Sequence, residues 1–478
     1  MKMIAQEFNF LGYDLDEESG RVLFNYQLIW DSSTDRREKK LTFTEVFFFG
    51  EGHDWDLVSH GLLALLYFIA GVSYYKAGIP PKLNFQNIRP SAMQVTLINA
   101  VYSEGLAEMA YRNNLNLPVM SFYDESGNPI LLDEAVLTNK NQVALQSNPA
   151  ESFSQQAESL LSEGGIKVLL PFGGGIDSLT SLELLRYKAD EMSLFIMSRT
   201  GDRYAAIENA AEVAKLPIVR AERQLDEKIL KSDSLGLLNG HVPVTAVVSA
   251  AAVLSAYLNG FNHVVMSNEK SASFGSLLGN KTVNHQWSKG IEFETMMHAV
   301  IREITSGSLR YFSLLRAVSE LWVAKRFSQY ESYLPVFRSC NRAFHLDPAQ
   351  RMDKWCGVCD KCCFIDLILA PFLSKATLEK VFSGSEPLSL PANREKFLAL
   401  LGLTVKPFEC VGDVTECRAA LYLAAKREDR ADDSGLALLV AELVSLNVTL
   451  TPGEQEIEKL LYPEGIDFVP GYLRDVLF

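Results

Sequence analysis

Apolar and polar positions follow different rhythms in different parts of this chain. Val22 to Trp30 and Leu41 to Phe49 are rich in β-branched and aromatic residues with partial period-two alternation, which predicts strands. Leu57 to Tyr75 is apolar almost throughout and too long for a strand, so it predicts a buried helix that ends before the break at Gly78, Pro80 and Pro81. Another helix is expected from Ala92 to Arg112. Residues 141–162 are polar, with Gln and Ser, and predict a link between domains. From Ile166 onward short apolar runs alternate with stretches of helical period. Strands are expected at 167–172, 193–198, 217–220 and 263–267, and helices at 178–189, 202–215 and 242–259. That order predicts a parallel sheet covered on both faces, with ligands at the carboxyl ends of its strands. Beyond Phe364 the chain turns Leu- and Ala-rich at helical spacing, at 364–373, 419–426 and 436–446. The fold class expected is therefore α/β in three parts. Residues 1–150 form an N-terminal α/β domain with a role in substrate recognition, 151–335 the parallel-sheet domain, and 336–478 a helical C-terminal region.

Composition narrows the picture. The 478 residues suit about three domains at ~150 residues each. A hydrophobic fraction of 48% and a charged fraction of 22% are those of a soluble globular protein. The formal charge of -14 argues against a sequence-independent nucleic-acid binder, which needs a basic surface. The apolar stretches Gly61–Tyr75 and Val242–Leu258 are too short, or too rich in Ala and Ser, to span a bilayer well, so no membrane partner is expected. MKMIAQEFNF has no basic region leading into an apolar core, which predicts a cytoplasmic protein. Five of the seven Cys fall between Cys340 and Cys363, and in such a chain that clustering points to metal rather than disulfides.

The chemistry centres on KVLLPFGGGIDSLTSLELLR, Lys167 to Arg186. An apolar strand runs into Gly173, Gly174, Gly175, Ile176, Asp177 and Ser178, and a helix follows. A glycine turn there lets backbone N–H groups approach phosphate closely, and the helix N-terminus adds a favourable dipole. No Lys stands where a Walker A loop requires one, and the Rossmann glycine spacing is absent. After the fourth strand, SNEKSASFGS carries Asn268, Glu269 and Lys270, and His285 and Lys289 follow. Glu269, Lys270, His285 and Lys289 are the candidates for metal binding, phosphate contact and proton transfer. Cys340, Cys356, Cys359 and Cys362 are spaced C-x15-C-x2-C-x2-C, a ligand set for tetrahedral structural Zn²⁺, although an iron–sulfur cluster uses the same ligand type. Cys363 reads as a spare buried thiol, and Cys410 and Cys417 lack metal spacing. Arg338, Arg342, His345, Arg351 and Lys354 make a basic region around the cysteines, suited to an anionic substrate. His53, Asp54, Asp56 and His60 are read as a capped helix start rather than a metal cluster.

The glycine turn resembles the PP-loop, S-G-G-x-D-S, of the ATP pyrophosphatases, with Gly173 in place of the first Ser. The resemblance implies a PP-loop ATP-binding domain at 151–335, with ATP cleaved to AMP and pyrophosphate and Mg²⁺ assisting. GVCDKC is similar to the deazaguanine nitrile synthases. GVSYYKAGIPP, VNHQWSKGIEFE and WCGVCDKCCF, together with PFGGGIDS, resemble the MurL family of ATP-dependent muramoyl-peptide epimerases. That likeness implies inversion of the terminal L-Glu of UDP-MurNAc-L-Ala-L-Glu to D-Glu. It also implies functional pairing with a ligase that adds L-Glu to the muramoyl peptide. The implied logic is that a carboxylate must lose its charge, as an acyl-adenylate, before the neighbouring α-proton becomes acidic enough to remove. Two other readings stay open: another adenylating PP-loop enzyme, nitrile-forming or tRNA-modifying, and a non-catalytic ATP-binding regulator.

Overall fold

Three long strands open the chain, β1 (Glu7–Asp16), β2 (Arg21–Trp30) and β3 (Lys39–Phe48), joined as an antiparallel meander. The computed structural model describes residues 4–30, 39–133, 164–278, 281–345, 347–405, 411–446 and 454–478. The expected linker at 141–162 and Cys410 lie outside these residues. The first strand was not expected from the sequence. Its alternation breaks at Gly12, where the β1–β2 register slips and φ is +112°, a conformation glycine tolerates best.

The apolar stretch after β3 folds as a helix from Leu57 to Ala70 followed by a short turn of helix, Val72–Tyr75. By length and composition Leu57–Tyr75 is long and apolar enough to cross a membrane, but 78% of its most apolar window is buried inside the protein. Its start is the expected cap: Asp56 Oδ1 accepts from Ser59 N at 2.8 Å, and Ser59 Oγ accepts from Asp56 N at 2.7 Å. The His53 ring contacts the carbonyls of Phe49 and Leu258 instead of a metal group. The helix expected from Ala92 to Arg112 is two, Ala92–Ser103 and Ala107–Arg112. They part at Gly105, where a Cβ would sit 2.7 Å from Pro243.

Among the described residues, eleven strands form one sheet in the order β13-β10-β7-β8-β9-β3-β2-β1-β4-β5-β6. The remaining members are β4 (Lys82–Phe85), β5 (Ser121–Tyr123), β6 (Pro129–Ile130), β7 (Lys167–Pro171), β8 (Glu191–Arg199), β9 (Ile218–Gln224), β10 (His263–Met266) and β13 (Arg310–Ser313). A separate hairpin pairs β11 (Ser276–Leu278) with β12 (Lys281–Val283). Strands β13, β10, β7, β8 and β9 are mutually parallel, and the strands expected at 167–172, 193–198, 217–220 and 263–267 are among them. Alternation sorts their side chains onto two cores. Leu169, Phe195 and Val264 face the helices Leu57–Ala70 and Val244–Leu258, while Val168, Leu170, Ile196 and Val265 face the helices Ile176–Leu185 and Asp360–Leu369.

The N-terminal strands join the parallel set edge to edge. β3 pairs antiparallel with β9 through Val46, Phe47 and Phe48 against Gln224, Arg223 and Glu222. A buried ion pair crosses this seam, Arg223 Nε donating to Glu45 Oε1 at 2.5 Å and Arg223 Nη2 to Ser73 Oγ at 2.8 Å. Beyond β13 the chain is helical, and its helices pack on the second core.

Candidate active site

Strand order places the site. The chain leaves β7, builds β8 and β9 on one side, then crosses back to lay β10 on the other, so direction reverses between β7 and β10. Loops diverge at such a point and leave a crevice at the carboxyl ends of the strands. The glycine turn follows β7, and Ser267, Asn268 and Glu269 follow β10. A cavity of about 370 Å³ lies there, walled by Gly173, Gly175, Asp177, Ser178, Ser267, Asn268, Lys289 and Arg338, among others.

The turn is held in shape by close approach. Gly174 has φ +71°, and a Cβ on it would lie 2.7 Å from the Ala206 carbonyl. Gly175 leads into the helix Ile176–Leu185, and a Cβ there would lie 2.9 Å from Ser339 Oγ. Around Gly173 that space is open. Ser178 Oγ donates to the Gly175 carbonyl at 3.2 Å.

A buried acidic group underlies the turn. Asp177 is pushed up to about 6, first by burial and then by the Glu269 charge, with Lys361 and Lys289 opposing. Glu320 is raised well above the usual carboxylate range by burial, Glu269 and Asp177. Glu416, which accepts from Leu321 N at 3.0 Å, is pushed up to about 8, chiefly by burial. Asp177 Oδ1, Ser267 Oγ and Glu320 Oε2 are buried with no hydrogen-bond partner within the protein. Buried carboxylates crowded in this way favour a cation or protons.

Arg316 ties the far side together. Its guanidinium, 3% exposed, donates from Nε to Glu294 Oε2 at 2.8 Å, from Nη1 to the Glu269 carbonyl at 2.9 Å and from Nη2 to the Lys289 carbonyl at 2.5 Å. The backbones bearing Glu269 and Lys289 thus share one fork of donors. Lys270 opens a short 3-10 helix, its backbone N donating to the Val318 carbonyl at 2.9 Å, and is outside the cavity wall.

His285 belongs to a different group. Its Nδ1 contacts Glu108 Oε2, and its ring lies 4.5 Å from that of His241. His241 is pushed down to about 4 by burial and then by the His285 charge. Glu108 is held below its usual range: burial raises it, but the His285 hydrogen bond and neighbouring positive charges outweigh that.

The Sγ atoms of Cys340, Cys356, Cys359 and Cys362 lie within 4.8 Å of one another. Neighbouring pairs stand 3.4, 3.6 and 4.0 Å apart. A tetrahedral zinc–thiolate centre needs edges of ~3.8 Å, so the group fits such an ion, and these separations are far too long for disulfides. Gly357, at φ +69°, makes the tight turn between the first pair, while Cys362 lies in the first turn of the helix Asp360–Leu369. Cys363 is buried beside the group and burial raises its thiol. The strap carrying Cys340 docks on the glycine turn, with Arg338 N donating to the Gly174 carbonyl at 3.1 Å. Of the basic region, Arg338 reaches the cavity, whereas Arg351 is engaged with Asp202 through two contacts of 2.6 Å.

Residues 2–314 match the MurL N-terminal domain and residues 336–451 the MurL C-terminal domain. The chain belongs to the MurL epimerase family. It is 36% identical over 481 residues to a protein of Salinispora tropica, covering 98% of this chain and 95% of that one. It is also 36% identical to proteins of Xanthomonas oryzae pv. oryzae, over 85% of this chain and 83% of that one, and of Micromonospora, over 91% and 90%. All three are named UDP-N-acetyl-alpha-D-muramoyl-L-alanyl-L-glutamate epimerase. The cavity draws on both MurL domains: the glycine turn and Lys289 lie in the first match, Arg338 and Ser339 in the second. Sequence reasoning missed Arg316, Glu320 and Glu416. A Glu in the first turn of a helix, as at both carboxylates, is ordinary in a sequence, and only burial marks these two as unusual.

Proposed function

We propose that this protein inverts the terminal L-Glu of UDP-MurNAc-L-Ala-L-Glu to D-Glu in cytoplasmic peptidoglycan-precursor synthesis, downstream of a ligase that adds L-Glu. The observation that carries this reading is 36% identity across 98% of the chain to a protein named for that epimerisation. ATP supplies the activation: the terminal carboxylate becomes an acyl-adenylate, pyrophosphate leaves, and hydrolysis later returns AMP and the free acid.

Support for the ATP step comes from the glycine turn. Gly173, Gly174, Gly175, Asp177 and Ser178 lie at the N-terminus of the helix Ile176–Leu185, beside open space at Gly173 and the partnerless Asp177 Oδ1 and Ser267 Oγ. In this reading the turn is a PP-loop whose amides orient the phosphates. Asp177 and Glu269 would hold Mg²⁺, since that ion takes one or two carboxylates together with phosphate oxygens. Arg338 and Lys289 bring positive charge to the cavity wall. Because Lys289 lines the cavity, in this reading it would move a proton at the substrate. The four cysteines would hold structural Zn²⁺ and so keep the Arg338–Ser339 strap against the turn.

The test is pyrophosphate release from ATP and Mg²⁺ with UDP-MurNAc-L-Ala-L-Glu, with chiral analysis of the recovered glutamate. D-Glu together with AMP is the expected result. Pyrophosphate without inversion would refute the epimerisation while sparing the ATP chemistry, and inversion without nucleotide would refute the adenylation.

A further inference from the structure

The geometry points to a second metal site, in which Glu108, His241 and His285 hold a zinc-class dication apart from the cysteine cluster. Three distant segments converge to make it: the helix Ala107–Arg112, the loop before the helix Val244–Leu258, and the loop after β12. One ligand atom from each of the three lies within 4.8 Å of the others. Glu108 Oε2 is the shared vertex, touching His285 Nδ1 and standing 3.9 Å from His241 Nδ1.

The donor set selects the class of ion. Two imidazoles and one carboxylate suit zinc and its neighbours, whereas Mg²⁺ and Ca²⁺ prefer oxygen throughout. Three protein ligands leave a fourth tetrahedral position for water or an anionic oxygen, the pattern of reactive rather than structural zinc centres. The carboxylate is also held as metal-binding carboxylates usually are. Glu108 is 4% exposed, and its other oxygen, Oε1, accepts from Arg112 Nε at 2.6 Å, which leaves Oε2 for the imidazoles. Opposing charge comes from Lys76 and Arg112. Lys76 Nζ is occupied by Asn239 Oδ1 at 2.8 Å and the Gly240 carbonyl at 3.1 Å, and Arg112 by Glu108 itself. The helix bearing Glu108 and the strand leading to His285 also wall a neighbouring cavity of about 410 Å³, lined by Ala107, Ala110, Tyr111 and Val283 among others.

This inference does not depend on ATP chemistry, and its test needs no substrate. Full-length protein is saturated with zinc, freed of loose ion, and its metal content measured. Wild type should carry about two zinc ions per chain, and His241→Gln and His285→Gln about one each. Cys359→Ser should lose the other ion. Cobalt replacement separates the sites on wild type alone, because the thiolate site gives sulfur-to-metal charge transfer and the histidine site gives ligand-field bands without it. A cobalt titration showing only thiolate-type binding would overturn the proposal. A second zinc that survives both histidine substitutions in folded protein would overturn it too.

Discussion

Asp177→Asn should make the ligand-free protein more stable while abolishing its chemistry. The Asp177 side chain is half-buried in the cavity wall, with Oδ1 shielded from solvent, and burial and the Glu269 charge raise its pKa from 3.8 to about 6. A group whose folded pKa exceeds its unfolded one costs stability as pH rises. The folded state then holds a proton that the unfolded state has released. The loss begins near the unfolded value of 3.8 and is complete above the folded value of about 6. Roughly two units at 1.36 kcal/mol each give about 3 kcal/mol at pH 7.5, and about half that at pH 5. An uncharged amide of similar shape escapes this cost. Urea unfolding of the zinc-loaded protein, without nucleotide or Mg²⁺, measures it in wild type and variant at both pH values. The variant should be the more stable by about 3 kcal/mol at pH 7.5, and the gap should shrink at pH 5. Mg²⁺ with ATP should stabilise wild type far more than the variant, and pyrophosphate release should be lost. A variant less stable than wild type at pH 7.5, or a gap that does not change with pH, would refute the electrostatic reasoning.

Gly174→Ala places a Cβ 2.7 Å from the Ala206 carbonyl at a φ of +71°, so it should cost about 1–3 kcal/mol by urea unfolding and reduce pyrophosphate release more than overall structure. Cys359→Ser should release the thiolate-bound metal, detectable as lost zinc, and lower activity by freeing the strap that docks Arg338 on Gly174. Glu45→Ala strands a buried guanidinium at the β3–β9 seam and should cost about 3–5 kcal/mol. Glu45→Leu combined with Arg223→Met should restore most of that stability, as read from unfolding midpoints.

The sequence made the site's local parts legible and its long-range parts invisible. The glycine turn and the C-x2-C pairs are contiguous, so their geometry follows from a few residues. The strands at 167–172, 193–198 and 263–267 stood out because both faces of each are largely buried, which removes polar alternation, whereas 217–220 is only half-buried. β13 is four residues long and buried, too short to show a period, and β1 is interrupted at Gly12. Glu320 and Glu416 became significant only when two distant helices brought them under the turn. His285 looked like part of the same polar segment as Lys289. It lies instead against Glu108, 177 positions earlier in the chain, a contact no local pattern encodes.

The seam between β3 and β9 also limits how the molecule can move. Lobes that close over a ligand need a hinge, a few residues that absorb rotation without breaking packed contacts. Here the ladder at Val46, Phe47 and Phe48 and the Glu45–Arg223 pair would both have to part before the N-terminal strands could swing. Those strands are a fixed wall, not a jaw. A long ligand reaching from the crevice toward them meets a surface already in its final position.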